Sequence, residues 1–476
     1  LVTPFYLHFL GIESYGLIGF FTTLLTLVQL LDLGLSPTMN REVARHAGAD
    51  AASLRHLFRS MELLYWSVAL FLSVGLLLAA GWIGRYWLQS THLMAADVVH
   101  AVMLMALVVA VRWPIGLYSA CLMGAQRLAV VSGLSIVMVT LGAAGSVTVL
   151  AFLSPTIGAF FLWQVGVSSV HVVLIRWLAW RAVGGRQGAR FKLVELHRIW
   201  RFSAGVGAIA VTGVLLMQFD KMLLSKLVDL GSYGRYMLAT LLASGLYLLA
   251  TPMFNALYPR FSMLVVNNQV DRLVELYGLA TRLLATLALS LAAAVSMHAE
   301  ALIRLWTQNA LLSAQVAPIA SVLVFAAALH GVLFLQYALQ LAYGMARLAL
   351  LLNAVLLIVY VPLSIVLTVE HAGQGAAIAW LLLQLVYLGL GTFLTHRYLL
   401  EGHAVRWLLR DLGIPLCASL AIACAVAAVE PAGIAGYPAV IWTGVTMAAA
   451  VSLSLTLSPA LRSSLYENMR LKKFRA

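Results

Sequence analysis

The sequence predicts an all-α polytopic membrane protein. It should hold two six-helix lobes related by a parallel pseudo-two-fold repeat, plus two C-terminal helices. Three observations carry this expectation. Of the 476 residues, 63% are hydrophobic and only 10% charged, whereas soluble domains carry about 25% charge. Apolar runs of about twenty residues recur along the whole chain, each long enough to cross ~30 Å of hydrocarbon as a helix. Several short motifs also return at nearly constant offset. The apolar runs do not alternate as barrel strands do, and in lipid only helices or closed barrels satisfy the backbone.

Taken in order, the runs place membrane helices at 15–38, 61–84, 98–121, 128–152, 157–180, 200–228, 233–258, 277–303, 317–343, 348–369, 373–398, 408–428 and 437–457. These are thirteen complete spans. The opening LVTPFYLHFL reads as the end of a further span, so fourteen are expected in a full chain. Alternate loops hold most of the 30 lysines and arginines, from Arg41, Arg45, Arg55 and Arg59 through Arg181, Arg186, Arg190 and Lys192 to the tail. The positive-inside rule makes that side cytoplasmic, with both termini on it. The net charge of +13 is therefore a loop property and does not point to nucleic acid. Cys121, Cys417 and Cys424 show no paired spacing, so neither a disulfide framework nor a zinc site is suggested. No cleavable signal peptide is visible.

The repeat rests on four matches at offsets of 217 to 220 residues. Ser14-Tyr15-Gly16 returns as Ser232-Tyr233-Gly234. Arg85-x-Trp87-x-Gln89 returns as Arg304-x-Trp306-x-Gln308. Gly124-x-x-Arg127-Leu128-Ala129 returns as Gly344-x-x-Arg347-Leu348-Ala349, and Gly158-Ala159-x-x-x-Trp163 as Gly375-Ala376-x-x-x-Trp380. Six is even, so both copies face the same way about an axis along the membrane normal, as in several transporter classes. The expected organisation is an N-terminal lobe at 1–185 with a truncated first helix, and a basic linker at 186–199. A C-terminal lobe follows at 200–400, then two added helices at 401–460 and a basic tail at 461–476. Two like lobes imply a mid-membrane cavity that opens to either side in turn.

A charge inside a span costs ~2.5–3.5 kcal/mol at the centre on insertion scales, so each needs a reason. Arg112 lies about 12 Å from the nearer end of its helix at 1.5 Å per residue. Pro114 follows it, removes a helix hydrogen bond, and marks a kink and candidate gate. Arg112 either lines the cavity and holds an anion by paired donors, or binds a freed carbonyl or nearby acid. Lys221 is a candidate for the same anion and Asp220 for a coupling proton, with an inter-helix salt bridge as the alternative. As helix neighbours pointing about 100° apart, the two need not pair with each other. His330 is a cavity candidate or a hydrogen-bonded packing residue. Trp87 with Arg85, and Trp306 with Arg304, read as interfacial anchors. Arg176 and Arg282 read as snorkelling side chains. Glu62 is placed at a helix start, paired with Arg59. Asp32 should shape a helix end before Leu33-Gly34. Asp220 is the one intramembrane carboxylate expected, which argues against a carrier of organic cations. There is no P-loop and no nucleophile–base constellation, so the chain is not expected to be an enzyme.

The motifs Leu10-Gly11-x-Glu13-x-Tyr15-Gly16, Asp32-Leu33-Gly34 and Arg41 resemble those of polysaccharide flippases in the multidrug/oligosaccharidyl-lipid/polysaccharide exporter superfamily. So do Asp220-Lys221, Ser225, Tyr233-Gly234, Pro259 and Gly373-x-Gly375-Ala376-Ala377. The resemblance implies a two-lobe, alternating-access carrier in the bacterial inner membrane. Its cargo would be a polyprenyl-pyrophosphate-linked oligosaccharide for O-antigen, capsule or exopolysaccharide assembly. Arg112, and after it Lys221, fit the cationic cavity of such carriers. Expected partners are that lipid-linked oligosaccharide, the lipid bilayer, and polysaccharide polymerase and chain-length machinery, with the chain acting as a monomer. No cofactor is expected, and proton or sodium coupling stays open. The alternatives are a cation-coupled multidrug exporter of the same fold, a peptidoglycan lipid-precursor flippase, and a membrane glycosyltransferase or polymerase.

Overall fold

A computed structural model describes residues 2–45, 51–430, 436–459 and 461–462, without the side chains of residues 51, 198 and 200–210. The basic tail beyond residue 462 and the Arg198 and Arg201 side chains lie outside the described residues. The first part of the chain forms α1 (Thr3–Gln29), α2 (Leu35–Arg45), α3 (Ala51–Trp82), α4 (Ala95–Arg112), α5 (Ile115–Gly124), α6 (Leu128–Phe152), α7 (Ile157–Ala182), α8 (Leu193–Leu227) and α9 (Leu230–Ser244). There follow α10 (Tyr247–Val266), α11 (Val270–Met297), α12 (Ala299–Thr307), α13 (Ala310–Ala342), α14 (Ala346–Val386), α15 (Thr392–Leu399), α16 (Ala404–Arg406), α17 (Ile414–Val429) and α18 (Tyr437–Leu457). The described residues hold no strand, only an isolated bridge between Gln89 and Asp229. The chain is a polytopic all-α membrane protein. It divides into two compact units, Leu1–Gly234 and Arg235–Ala476.

Among the described residues ten helical stretches are long and apolar enough to cross a membrane, or eleven if bent α9 and α10 form one span. Thirteen spans were expected, and the difference has local causes. The stretch Ala346–Leu399 passes as one run of 54 residues, but Ala372 (φ 48, ψ −129) is non-helical and kinks α14 between two helices. It therefore covers two expected spans. A Cβ on Gly375 would strike the Leu367 carbonyl, so glycine is what lets the two arms press together there. Residues 198 and 200–210 of α8 lack described side chains. Helices α9 and α10 meet at 44°, where one straight span was expected.

Other expectations need correction. The run at 15–38 is not one helix. It breaks at Leu33 and Gly34, both in the left-handed region (φ 45 and 78), while the bend at Gly11 (φ 76) lies before it, next to the opening LVTPFYLHFL. Asp32 then accepts the backbone N–H of Ser36 at 3.1 Å and its hydroxyl at 2.9 Å, capping the entry to α2. Helix α3 begins at Ala51, so Glu62 lies three turns inside it and not at a helix start. A break at Trp113 and Pro114 separates α4 from α5, at the position where the proline was expected to kink the span.

The N-terminal unit is fastened at two places. Glu62, 1% exposed, takes Arg59 at 2.6 Å and Arg176 at 2.7 Å, Tyr118 at 2.9 Å and Trp180 at 3.0 Å. One carboxylate thus ties α3, α5 and α7 together. Arg176 is an ion-pair partner and does not snorkel, because a buried acid lies within its reach. Elsewhere Glu13 on α1 accepts the backbone N–H groups of Thr91, His92 and Leu93, anchoring the turn before α4. Two positions of the repeated Ser-Tyr-Gly motif also meet. A Cβ on Gly16 would strike the Leu230 carbonyl, and one on Gly234 the Ile12 carbonyl. Trp87 donates to Ser225 at 3.0 Å and carries Lys226 over its ring, so it is bound to α8.

In the C-terminal unit the most apolar 18 residues of α11 and of α13 are each 67% buried within the protein, against 17% for α18. The first two are therefore interior helices and the last is peripheral. Gln336 and Gln340 on α13 donate to Thr392 at 2.6 Å and Thr395 at 2.7 Å. The added helices α17 and α18 pack on α11. Arg282, expected to snorkel, instead pairs with Asp411 at 3.0 Å. Glu62 and Asp411 are thus intramembrane carboxylates additional to Asp220. Each is neutralised by arginine, so neither is an open cation site.

Candidate functional site

The N-terminal unit encloses a cavity of about 730 Å³, within the ~300–1,000 Å³ usual for ligand pockets. Its walls come from α1, α2, the α4–α5 break, α6 and α7, and Arg112 lies on that wall. The break explains the position of Arg112. Pro114 has no N–H to continue the ladder, α4 stops at Arg112, and α5 starts again with Pro114 at its N-cap, where a missing donor is least costly.

The guanidinium is held by neutral groups. Its Nε donates to Ser168 Oγ at 2.9 Å and its Nη2 to Gln164 Oε1 at 2.6 Å. Gln164 is itself aimed by α6, because its amide nitrogen donates to Ser146 Oγ at 3.0 Å and the Gly142 carbonyl at 3.4 Å. That fixes the amide oxygen toward Arg112. Phe21 lies 5.7 Å from the guanidinium carbon. Among the described residues Arg112 has no carboxylate within ion-pair distance, and its Nη1 has no hydrogen-bond partner. His171, one turn beyond Ser168, lines the same cavity with its buried Nε2 unpartnered. Asp32 also faces the cavity, but its oxygens are taken by Ser36 and the Tyr65 hydroxyl. The cavity therefore presents the Arg112 guanidinium, the hydroxyl-bonded Asp32 carboxylate, a histidine, and a set of hydroxyl and amide groups. Its chemistry suits an anion with polar substituents.

The other candidates are not brought to this site. Lys221 Nζ bonds the Met217 carbonyl at 2.7 Å and Asp220 at 3.1 Å. The two neighbours pair after all, because the long lysine stem folds back along α8. Neither lines the cavity. His330 lies in the C-terminal unit, hydrogen-bonded to the Tyr247 hydroxyl at 2.8 Å and edge-on to Phe334 and Trp380. Sequence reasoning missed Gln164, Ser168 and His171. Their signal was present as a polar stripe at i, i+4 and i+7 on an otherwise apolar helix.

Residues 1–265, more than half of the chain, match the polysaccharide biosynthesis protein family. The chain belongs to that family. No protein of curated function matches it in sequence. Among solved structures, a lipid II flippase MurJ in an inward closed conformation aligns over 98% of this chain and 96% of its own, with TM-score 0.72 and 11% identity. An inward-facing multidrug resistance transporter of the MATE family, in the MOP superfamily, covers 83% of this chain and 93% of its own, with TM-score 0.67 and 14% identity. A MOP superfamily transporter from Pyrococcus furiosus covers 84% and 91%, with TM-score 0.54 and 14% identity. These likenesses concern the fold. The fold of this polysaccharide biosynthesis protein is thus one it shares with that flippase and those transporters.

Proposed function

We propose that the protein moves a polyprenyl-pyrophosphate-linked oligosaccharide from the cytoplasmic to the outer leaflet of the bacterial inner membrane. It would do so by alternating access, for O-antigen, capsule or exopolysaccharide assembly. The observation that carries this reading is Arg112, a cation on the cavity wall with no carboxylate within ion-pair distance among the described residues. An arginine so placed costs free energy unless an anion or water meets it. A pyrophosphate head supplies that anion, with Arg112 Nη1 and His171 as its donors. The amide and hydroxyl groups on α7 and α2 face the sugar. Lys221 is neutralised by Asp220, so Arg112 holds the head in this reading and the Asp220–Lys221 pair is left for coupling. The proposed architecture remains the doubled bundle, residues 1–185 and 200–400 with two added helices, basic loops inside and both termini cytoplasmic.

The test is deletion of the gene in its host. Lipid-linked repeat units should then accumulate in the cytoplasmic leaflet, and the wild-type protein should clear them. Arg112→Glu, present in the membrane at wild-type level, should not. Normal clearance by Arg112→Glu would overturn the reading. Rescue of a strain lacking its peptidoglycan-precursor flippase, or drug efflux without clearance, would assign the protein to one of the competing cargoes.

A further inference from the structure

A second cavity, of about 400 Å³, lies in the C-terminal unit between α11, α15 and the segment from α16 to α17. At its deep end is the Arg282–Asp411 pair. Arg282 uses only Nε there, toward Asp411 at 3.0 Å and the Gly278 carbonyl at 3.2 Å. Neither Nη atom has a hydrogen-bond partner among the described residues. Gly278 makes the approach possible, since a Cβ there would lie 2.8 Å from Asp411. Beside this pair is His396, 1% exposed. Its Nδ1–H donates to the Thr392 carbonyl at 2.8 Å, while Nε2 is buried without a partner. Toward the end of the bundle that carries the α10–α11 turn, the wall holds Glu275 and Asp271, with Arg406 across from them.

The wall thus carries two arginines and three carboxylates. A simple anion would meet a carboxylate excess, and a simple cation would meet Arg282 at the deep end. A ligand with both charges satisfies both ends. We propose that this cavity binds a phosphate ester bearing an amine, of the phosphoethanolamine class. The phosphate lies against the free Nη fork of Arg282, which suits bidentate recognition of oxyanions. The ammonium donates to His396 Nε2 and faces Glu275 and Asp271. The order along α11 fits such a headgroup. Arg282 lies seven residues deeper than Glu275, ~10 Å of helix rise, which the two side chains and one headgroup can span. Pockets between membrane helices that carry arginine hold lipid phosphates, and the carboxylates here select the zwitterion over an anionic lipid. This site is separate from the Arg112 cavity and does not depend on the cargo carried there.

The experiment uses the full chain, purified in detergent and stripped of lipid. It is titrated with phosphatidylethanolamine, phosphatidylglycerol and free O-phosphoethanolamine, with bound adducts counted by native mass spectrometry. The wild type should bind phosphatidylethanolamine at least fivefold tighter than phosphatidylglycerol. Arg282→Gln should weaken that binding at least tenfold. Asp271→Asn/Glu275→Gln, at exposed rim positions, should bring the preference near one, and this variant decides if Arg282→Gln does not fold. Equal binding of the two lipids by the wild type, or an unchanged preference in the rim variant, would overturn the proposal. O-phosphoethanolamine displacing the lipid at comparable concentration would assign the site to a soluble ester. Its failure to compete while the lipid stays bound would assign the site to the bilayer. Binding of neither would again refute it.

Discussion

Replacing Glu62 should loosen the N-terminal unit by an amount set by its four partners. The carboxylate is 1% exposed and receives two guanidinium groups, the Tyr118 hydroxyl and the Trp180 indole. Removing one partner of a buried ion pair costs about 3–5 kcal/mol, because the other is left uncompensated. Here the side chains of Arg59 and Arg176 are 22% and 37% exposed, so both can rehydrate, and solvent screening lowers their share. Trp180 and Tyr118 are buried and each loses an acceptor, worth about 1–3 kcal/mol. Tyr118 still accepts from Trp66 at 2.9 Å. Glu62→Ala should therefore cost about 3 kcal/mol. Glu62→Gln, which keeps one acceptor oxygen, should cost about half as much. Adding Arg176→Gln to Glu62→Gln should recover part of the loss, since it removes an unpaired cation. The assay is denaturant unfolding of the purified protein in detergent, followed by tryptophan fluorescence. Glu62→Ala within about 0.5 kcal/mol of wild type, an ordinary value for a surface change, would refute the reasoning.

Three further outcomes are expected. Gly375→Ala should lower the melting temperature of the purified protein by several degrees, because the new methyl meets the Leu367 backbone carbonyl where α14 kinks; an unchanged melting temperature would show that the kink is open. Gly16→Ala and Gly234→Ala should each destabilise, since each meets backbone across α1 and α9, and the double variant should lose less than the sum because one contact is shared; strict additivity in unfolding experiments would count against a shared contact. Gln164→Leu should weaken anion binding several-fold in a titration while leaving the protein folded, because it frees Arg112 from its orienting acceptor; unaltered binding would show that the amide does not position the guanidinium.

Much of this molecule is legible in its sequence because lipid allows few solutions. The apolar runs yield helices near the expected places, such as α6 and α7, and Pro114 yields the break that puts Arg112 on a cavity wall. Asp32 is readable as a helix-end residue for the same local reason. The polar partners are what sequence spacing conceals. Glu62 and Arg176 are distant in sequence and meet only because α3 and α7 pack side by side, so Arg176 read as a lone cation near a helix end. Arg282 and Asp411 meet because the added helix pair docks on α11. Asp220 and Lys221 pair although helix neighbours point about 100° apart, because the long lysine stem spans that angle, and spacing alone does not decide this. The kink at Ala372 has no marker in its own side chain, and only the nearby glycines hint at it.

The central claim is that Arg112 is held open for an anion. The most direct measurement is the affinity of the purified protein for a short-chain polyprenyl pyrophosphate, compared between wild type, Arg112→Lys and Arg112→Gln. The account predicts at least tenfold weaker binding for Arg112→Gln, an intermediate value for Arg112→Lys, and affinity falling with added salt. Equal affinity across all three would contradict it.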